Sequence, residues 1–470
     1  DTETDADNKK NKIMIKVVFD IEADGLLDTI TKIYCVSYTV VGEWKLISIT
    51  SEEEIKKFFT SGYTYVGHNI KDYDLPALKK IYNIDIDSIA YLDTLFLSWY
   101  LFPKNKKYGL DDFGKLFGIE KIKISSGEWK TLSTEKAIER CEGDVKINSK
   151  LWVNLIARLK ELYSSEEEID HALKYFTFKN ECAYEQTLNP IKLDIVKAQT
   201  MLEEWETILE DKRTALEAVM PKIPKYSIKS KPPKLYLKNG ELSVRGKDWF
   251  SFLEKHNINK DNDLSIRYVS SYEEPNANST EQIKAWLYKL GWTPSTFKFQ
   301  RNKETGEIKQ TPQILTESRE ICPSVVALSE KEPVVELLTG FGVLRHRYGQ
   351  VKGLLDNVDR DGCVTQRIVG LTSTLRMKHG IVVNLPGVDK PYGKEIRSLF
   401  IAPEGEVVFG VDIKNLESRT KDHYITPYDP DYVAEMSESD FDSHTDLAVL
   451  ANKITKDEER FYKWYKKQKK

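Results

Sequence analysis

From about residue 14 the chain alternates strand-like and helix-like stretches: "IKVVFDIE", "KIYCVSYTVV", "SEEEIKKFF", "YTYVGHN", "LPALKKIY" and "IAYLDTLFLSWYL". They lead into a helix through "STEKAIERCEGDVKINSKLWVNLIARLKEL". This alternation predicts an α/β layer architecture for residues 14–160. Over 195–220, Met201, Leu202, Trp205, Ile208, Leu209 and Leu216 recur on one stripe, which predicts a long amphipathic helix. "PKIPKYSIKSKPPKLYLK" (221–238) is lysine-rich and broken by proline, and reads as a loop. Short helices are expected at "STEQIKAWLYKLGW" and "PVVELLTGFGVLRHRYGQVKGLL", and strands at "DGCVTQRIVG" and "VVFGVDI". There is no internal repeat.

Composition narrows the class without deciding it. The 470 residues are enough for two to four domains. No apolar run approaches the roughly 20 residues that span a bilayer, and no signal-peptide layout is present, so an intracellular protein without a membrane partner is expected. Cys35, Cys141, Cys182, Cys322 and Cys363 are odd in number and scattered, which argues against a disulfide framework or a zinc site. A net charge of −4 does not mark a nucleic-acid binder, but Lys222, Lys225, Lys229, Lys231, Lys234 and Lys238 concentrate positive charge in one stretch. Those lysines suit either a solvated linker or phosphate contact. The opening "DTETDADNKKNK" lacks any core-forming pattern, so residues 1–13 are expected to be a disordered tail, with Met14 a candidate true start.

The chemistry begins in "FDIEADGL" (19–26), where Asp20 and Glu22 share one strand face. Neighbouring carboxylates repel unless cations lie between them. In "GHNIKDYDLPAL", Asn69 and Asp74 sit at a loop-to-helix junction, and Asp144 in "GDVKINSKLW" lies on the later helix. Asp20, Glu22, Asp74 and Asp144 offer four hard oxygen donors, a set suited to two magnesium ions acting on a phosphodiester.

These motifs, with "LDTLFLSWYLFP", resemble the DEDD-type 3′–5′ exonuclease domain fused to phage family A DNA polymerases. The resemblance implies a ribonuclease H-like fold over 14–160 and assigns Asp20, Glu22, Asp74 and Asp144 as ligands of two Mg2+ ions, with Mn2+ as a possible replacement. It makes Asp93 structural and Asn69 a contact for a single-stranded DNA 3′ end. The family normally carries a Tyr four residues before the last Asp, or a His five before, to orient or deprotonate water; here Arg140 and Glu139 stand there. Glu139 or Glu142 is the substitute base to look for, and Arg140 either contacts phosphate or points to solvent.

Further motifs, "DGCVTQRIVG", "STLRMKHGIVVNLPG", "GKEIRSLF", "VVFGVDIKNLESR" and "DSHTDLA", follow the order found in the thumb and palm of the same polymerases. The resemblance implies a mostly helical connecting and thumb region over 161–333 and a partial α+β palm over 334–470. It makes Asp412 the first palm carboxylate and the carbonyl of Ile413 a further metal ligand. Glu417 and His444 are implied to face the dNTP, and Thr374, Arg376, Asn384 and Arg397 the primer–template. Thr374-Leu375-Arg376 replaces the family's Thr-Gly-Arg.

No fingers helix with its Tyr-Gly and no later His-Asp-Glu palm motif is found, so this chain alone is not expected to extend a primer. A clipped sequence, a split polymerase with a second polypeptide, and a truncation each account for that, and Asp1 in place of Met favours clipping. The expected function is therefore part of a replicative DNA polymerase with proofreading, in the cytoplasm of the host cell (bacterial if phage-encoded). The alternatives are a weak or dead exonuclease acting as a DNA-binding subunit, and a stand-alone RNA-processing nuclease.

Overall fold

The computed structural model describes residues 15–125, 127–259, 265–302, 305–317, 320–413, 416–436 and 441–468. The N-terminal tail and Met14 lie outside them. The chain divides into two compact units, Asp1–Ala402 and Pro403–Lys470.

The first unit begins with β1 (Lys16–Ala23), β2 (Ile33–Val40), β3 (Ile47–Ile49), α1 (Glu52–Phe59), β4 (Thr64–Gly67), α2 (Asp74–Tyr82), β5 (Tyr91–Asp93), α3 (Thr94–Leu101), α4 (Leu110–Phe117) and α5 (Thr134–Leu162). The strands form one mixed sheet in the order β3-β2-β1-β4-β5, with β1 antiparallel to β2 and parallel to β4. The α/β alternation expected from the sequence is thus present.

β1 is central and covered on both sides. Val17, Phe19 and Ile21 enter a core with Phe58, Phe59 and Tyr65, whereas Val18 enters the opposite core with Val145, Ile147 and Leu151 of α5. Strand alternation therefore commits Asp20 and Glu22, in phase with Val18, to the side on which α5 packs. Gly114 allows the close approach of α4, since a Cβ there would lie 2.6 Å from the Ile119 carbonyl and 2.9 Å from Ile147 Cδ1.

Beyond α5 come α6 (Glu166–Leu188), β6 (Ile191–Lys192), α7 (Ile195–Val219), β7 (Ile223–Ser230), α8 (Val244–Lys255) and β8 (Ser265–Glu273). The long helix predicted over 195–220 is α7, with Met201, Trp205 and Leu216 buried; Ile208 departs from the stripe and is exposed. The loop expected across 221–238 is corrected in its first half, because β7 pairs antiparallel with β8 along its length. Pro224 misled the reading: a two-stranded ribbon has free edges that tolerate proline. Three of its lysines meet acids, Lys222–Glu274 at 2.5 Å, Lys225–Glu273 at 2.7 Å and Lys229–Asp248 at 2.8 Å. Lys231, Lys234 and Lys238 belong to none of these pairs. The middle region is thus helical with added β-ribbons, Phe297–Arg301 with Ile308–Pro312 being a second.

Helix Phe341–Leu355 packs on α7, and the strands expected in "DGCVTQRIVG" are present as Cys363–Val364 and Ile368–Leu371. The strand predicted at "VVFGVDI" is not formed. Phe409 is 82 % and Val411 85 % exposed, and no strand among the described residues pairs with this run. An apolar run becomes an interior strand only when neighbours satisfy its edges and cover its faces. The second unit consists of helices Leu416–Ile425, Pro430–Met436, Ser443–Leu450 and Lys456–Gln468. Among the described residues no helix is long and apolar enough to cross a membrane.

Phe19 packs edge-on against Phe59 at 5.3 Å and Tyr65 at 5.9 Å. Phe19→Ala is expected to lower stability by about 3–5 kcal/mol in urea titration, the range for a buried aromatic whose neighbours cannot close the gap.

Candidate metal centre

Three elements deliver four carboxylates. β1 presents Asp20 and Glu22, and α5 crosses the same face with Asp144 one turn beyond Arg140. The Cys141 thiol donates to the Asp20 carbonyl at 3.1 Å, tying α5 to β1 beside the site. Asp74 is the first residue of α2, whose entry is fixed by the Tyr73 hydroxyl donating to the Gly25 carbonyl at 2.5 Å.

Carboxylate oxygens of Asp20, Glu22 and Asp144 all lie within 4.8 Å of one another; among the described residues this is the one such group of three. Asp74 is not within that trio, although its charge is felt at Asp20. Asp144 is 3 %, Glu22 5 % and Asp74 6 % exposed. Burial, then the charges of Asp144, Glu22 and Asp74, raises the Asp20 carboxyl well above its usual range. Burial pushes Glu22 up to about 7 against the opposing pull of Arg140, and burial with Asp93 and Glu22 nearby raises Asp74. His68, whose Nδ1 lies 2.9 Å from Thr94 Oγ1, is pushed down to about 3 by burial and by Lys121, so it is neutral.

The donor set fits a hard divalent ion. Its oxygens converge, and Asp144 Oδ1 is buried without a hydrogen-bond partner. Asp20, Glu22 and Asp144 are the residues that would hold the ion, with Asp74 beside them.

Asp93 is engaged otherwise, accepting from the backbone N–H of Asn69 at 3.1 Å, Leu95 at 2.8 Å and Phe96 at 3.2 Å. It caps α3 and holds the Asn69 turn, where φ is 63°, in agreement with its expected structural role. Neither proposed base is placed at the cluster: Glu139 is exposed, and Glu142 accepts from Ser48 Oγ at 3.0 Å at the far edge of the sheet.

Arg140 does not point to solvent. Its Nε lies 2.6 Å from Glu22 Oε1, Nη2 lies 3.9 Å from Asp144 Oδ2, and Nη1 donates to the Ile122 carbonyl. Sequence reasoning missed Lys121, whose ammonium sits 2.5 Å from Asp144 Oδ2. Nothing in "GIEKIKISSGEW" distinguishes this lysine from an ordinary loop lysine, because its position depends on how the segment after α4 folds back over α5.

Thr374, Arg376, Asn384 and Arg397 are exposed, with Arg397 Nε donating to the Pro386 carbonyl at 2.6 Å. Leu375 adopts φ 61°, the left-handed geometry that ordinarily favours glycine. Asp412 and Ile413 lie in exposed irregular backbone, and Asp412 joins no group of metal-capable side chains among the described residues. Glu417 stands in the first turn of helix Leu416–Ile425, and His444 in that of helix Ser443–Leu450, with its N–H bonded to Asp442 Oδ1 at 3.1 Å.

No family model matches the chain, and no curated protein matches it. Among solved structures, the chain is similar to the POL domain of Pol1 from M. smegmatis, which was determined in complex with DNA primer-template and dNTP. The identity is 15 % and the TM-score 0.48, with 84 % of this chain and 56 % of that chain covered. This chain thus spans little more than half of that chain's length.

Two outcomes follow for stability. Without divalent ions, folded Glu22 keeps a proton that the unfolded chain releases between pH 4.5 and about 7, and Asp20 and Asp74 act in the same sense. The thermal midpoint in chelator is therefore expected to fall as pH rises through that window, and to recover at pH near 7 on adding Mg2+. Separately, Leu375→Gly is expected to raise stability by about 1 kcal/mol in denaturant titration, because glycine removes the cost of the left-handed backbone.

Proposed function

We propose that residues 16–162 form a ribonuclease H-like 3′–5′ exonuclease acting on single-stranded DNA 3′ ends, within a chain of the family A DNA polymerase type. The observation that carries this reading is the convergence of half-buried Asp20 with buried Glu22 and Asp144 within 4.8 Å, with Asp74 alongside. The strand order β3-β2-β1-β4-β5 with β2 antiparallel supports the ribonuclease H-like assignment.

Bound magnesium, or manganese in its place, would supply positive charge for the phosphodiester oxygens and lower the proton affinity of water. The chain's own residues set the geometry. β1 and α5 fix three carboxylates, and α2 brings in the fourth. Arg140 is permanently protonated and cannot accept a proton, so it adds charge and no base catalysis.

The polymerase part rests on the motifs that resemble palm and thumb. In that reading Asp412 and Ile413 bind metal, and Glu417 and His444 face the dNTP. Thr374, Arg376, Asn384 and Arg397 hold primer–template. Arg140 paired to Glu22 supports a second reading, a DNA-binding subunit with little nuclease turnover.

Release of deoxynucleoside monophosphate from a 3′-labelled single strand distinguishes the two. Mg2+-dependent release is expected, reduced more than about 100-fold by Asp20→Ala or Asp74→Ala, as loss of several kcal/mol of transition-state stabilisation requires. Unchanged release in Asp74→Ala would contradict the site. Salt-sensitive DNA binding with no cleavage would favour the second reading. In a primer-extension assay this chain alone is expected to add no dNMP.

A further inference from the structure

The carboxylate cluster already contains two cations, both anchored. The Arg140 guanidinium is fixed on three sides: by Glu22 Oε1 at 2.6 Å, by the Ile122 carbonyl and by the Trp129 ring at 5.0 Å from its centroid. Trp129 is itself held, its carbonyl accepting from the Tyr34 hydroxyl at 2.6 Å. Lys121 lies 2.5 Å from Asp144 Oδ2. The side chains of Arg140 and Lys121 are only 13 % and 19 % exposed.

Side chains held in this way are parts of the site, not ligands waiting for a phosphate. An arginine keeps its charge at every accessible pH. Together the two cations carry the charge of one divalent ion, yet they leave Asp144 Oδ1 buried and unpartnered, and among the described residues neither forms an ion pair with Asp20.

We propose that Arg140 and Lys121 are internal counter-cations that replace one of the two divalent ions the four carboxylates would otherwise take. The cluster therefore takes a single divalent ion, seated by Asp20 and the open Oδ1 of Asp144. Glu22, engaged by Arg140, contributes at most its second oxygen. The inference rests on the nuclease reading for the identity of the site, but it concerns ion number and affinity in the absence of DNA.

The test is a titration of Mn2+ into the metal-free full chain without DNA, followed by electron paramagnetic resonance of free Mn2+ and by calorimetry. Asp20→Asn/Asp144→Asn sets the background from other carboxylates. Wild type is expected to bind one ion above that background. Arg140→Gln and Lys121→Gln, made separately so that one misfolded variant does not end the test, are each expected to add a second ion or to tighten the first by about ten-fold or more. Arg140→Lys, which keeps the charge, is expected to remain at one.

Two cluster-dependent ions in wild type would overturn the inference and leave the nuclease reading standing. One ion in wild type with neither Gln variant differing from it would also overturn the inference. No cluster-dependent ion in any variant would overturn both. Monophosphate release, measured separately, reports on the nuclease reading alone.

Discussion

Four carboxylates brought together in a largely buried site repel one another, and the architecture around them exists to impose that arrangement. Burial removes the water that would screen these charges, and with their carboxylate neighbours it raises the proton affinities of Asp20, Glu22 and Asp74. A fold gains nothing in stability from such a cluster. It persists because β1 is locked between two apolar layers, and the face that holds Val18 must also hold Asp20 and Glu22.

The same constraint accounts for what lies around the acids. α5 presents Asp144 to β1 on its buried face, and Cys141 bonds the strand backbone one turn earlier. The segment after α4 then folds over this junction, bringing Lys121, the Ile122 carbonyl and Trp129 into place. Protons on the raised carboxyls, the two anchored cations and a divalent ion are the means of relieving the repulsion. Only the anchored cations are written permanently into the sequence.

Much of this was legible beforehand, for a definite reason. Strand alternation and helical period are local properties, so the common face of Asp20 and Glu22, the helix carrying Asp144 and the junction at Asp74 all followed from spacing. Asp93 as a cap was also within reach, since an acid before "TLFLSWYL" is an N-terminal helix signal. Lys121 was not, because its partner Asp144 lies beyond an intervening loop and the pairing depends on tertiary packing. Arg140 was recognised as a departure, but its direction was open: a helix residue at the margin of a buried face turns inward only if something there receives it. The run "VVFGV" failed in the opposite way. It has the composition of an interior strand, and no described strand pairs with it. β7 was hidden by its lysines and Pro224, whose acidic partners stand on β8, after β8 and on α8.

The central claim is that this cluster is a divalent-ion site built around resident cations. Diffraction from crystals of the chain soaked in Mn2+, with data collected at the manganese absorption edge, tests it most directly. The account predicts one anomalous peak in contact with Asp20 and Asp144, with Arg140 still paired to Glu22. The absence of a peak there, or two peaks with Arg140 displaced from Glu22, would contradict it.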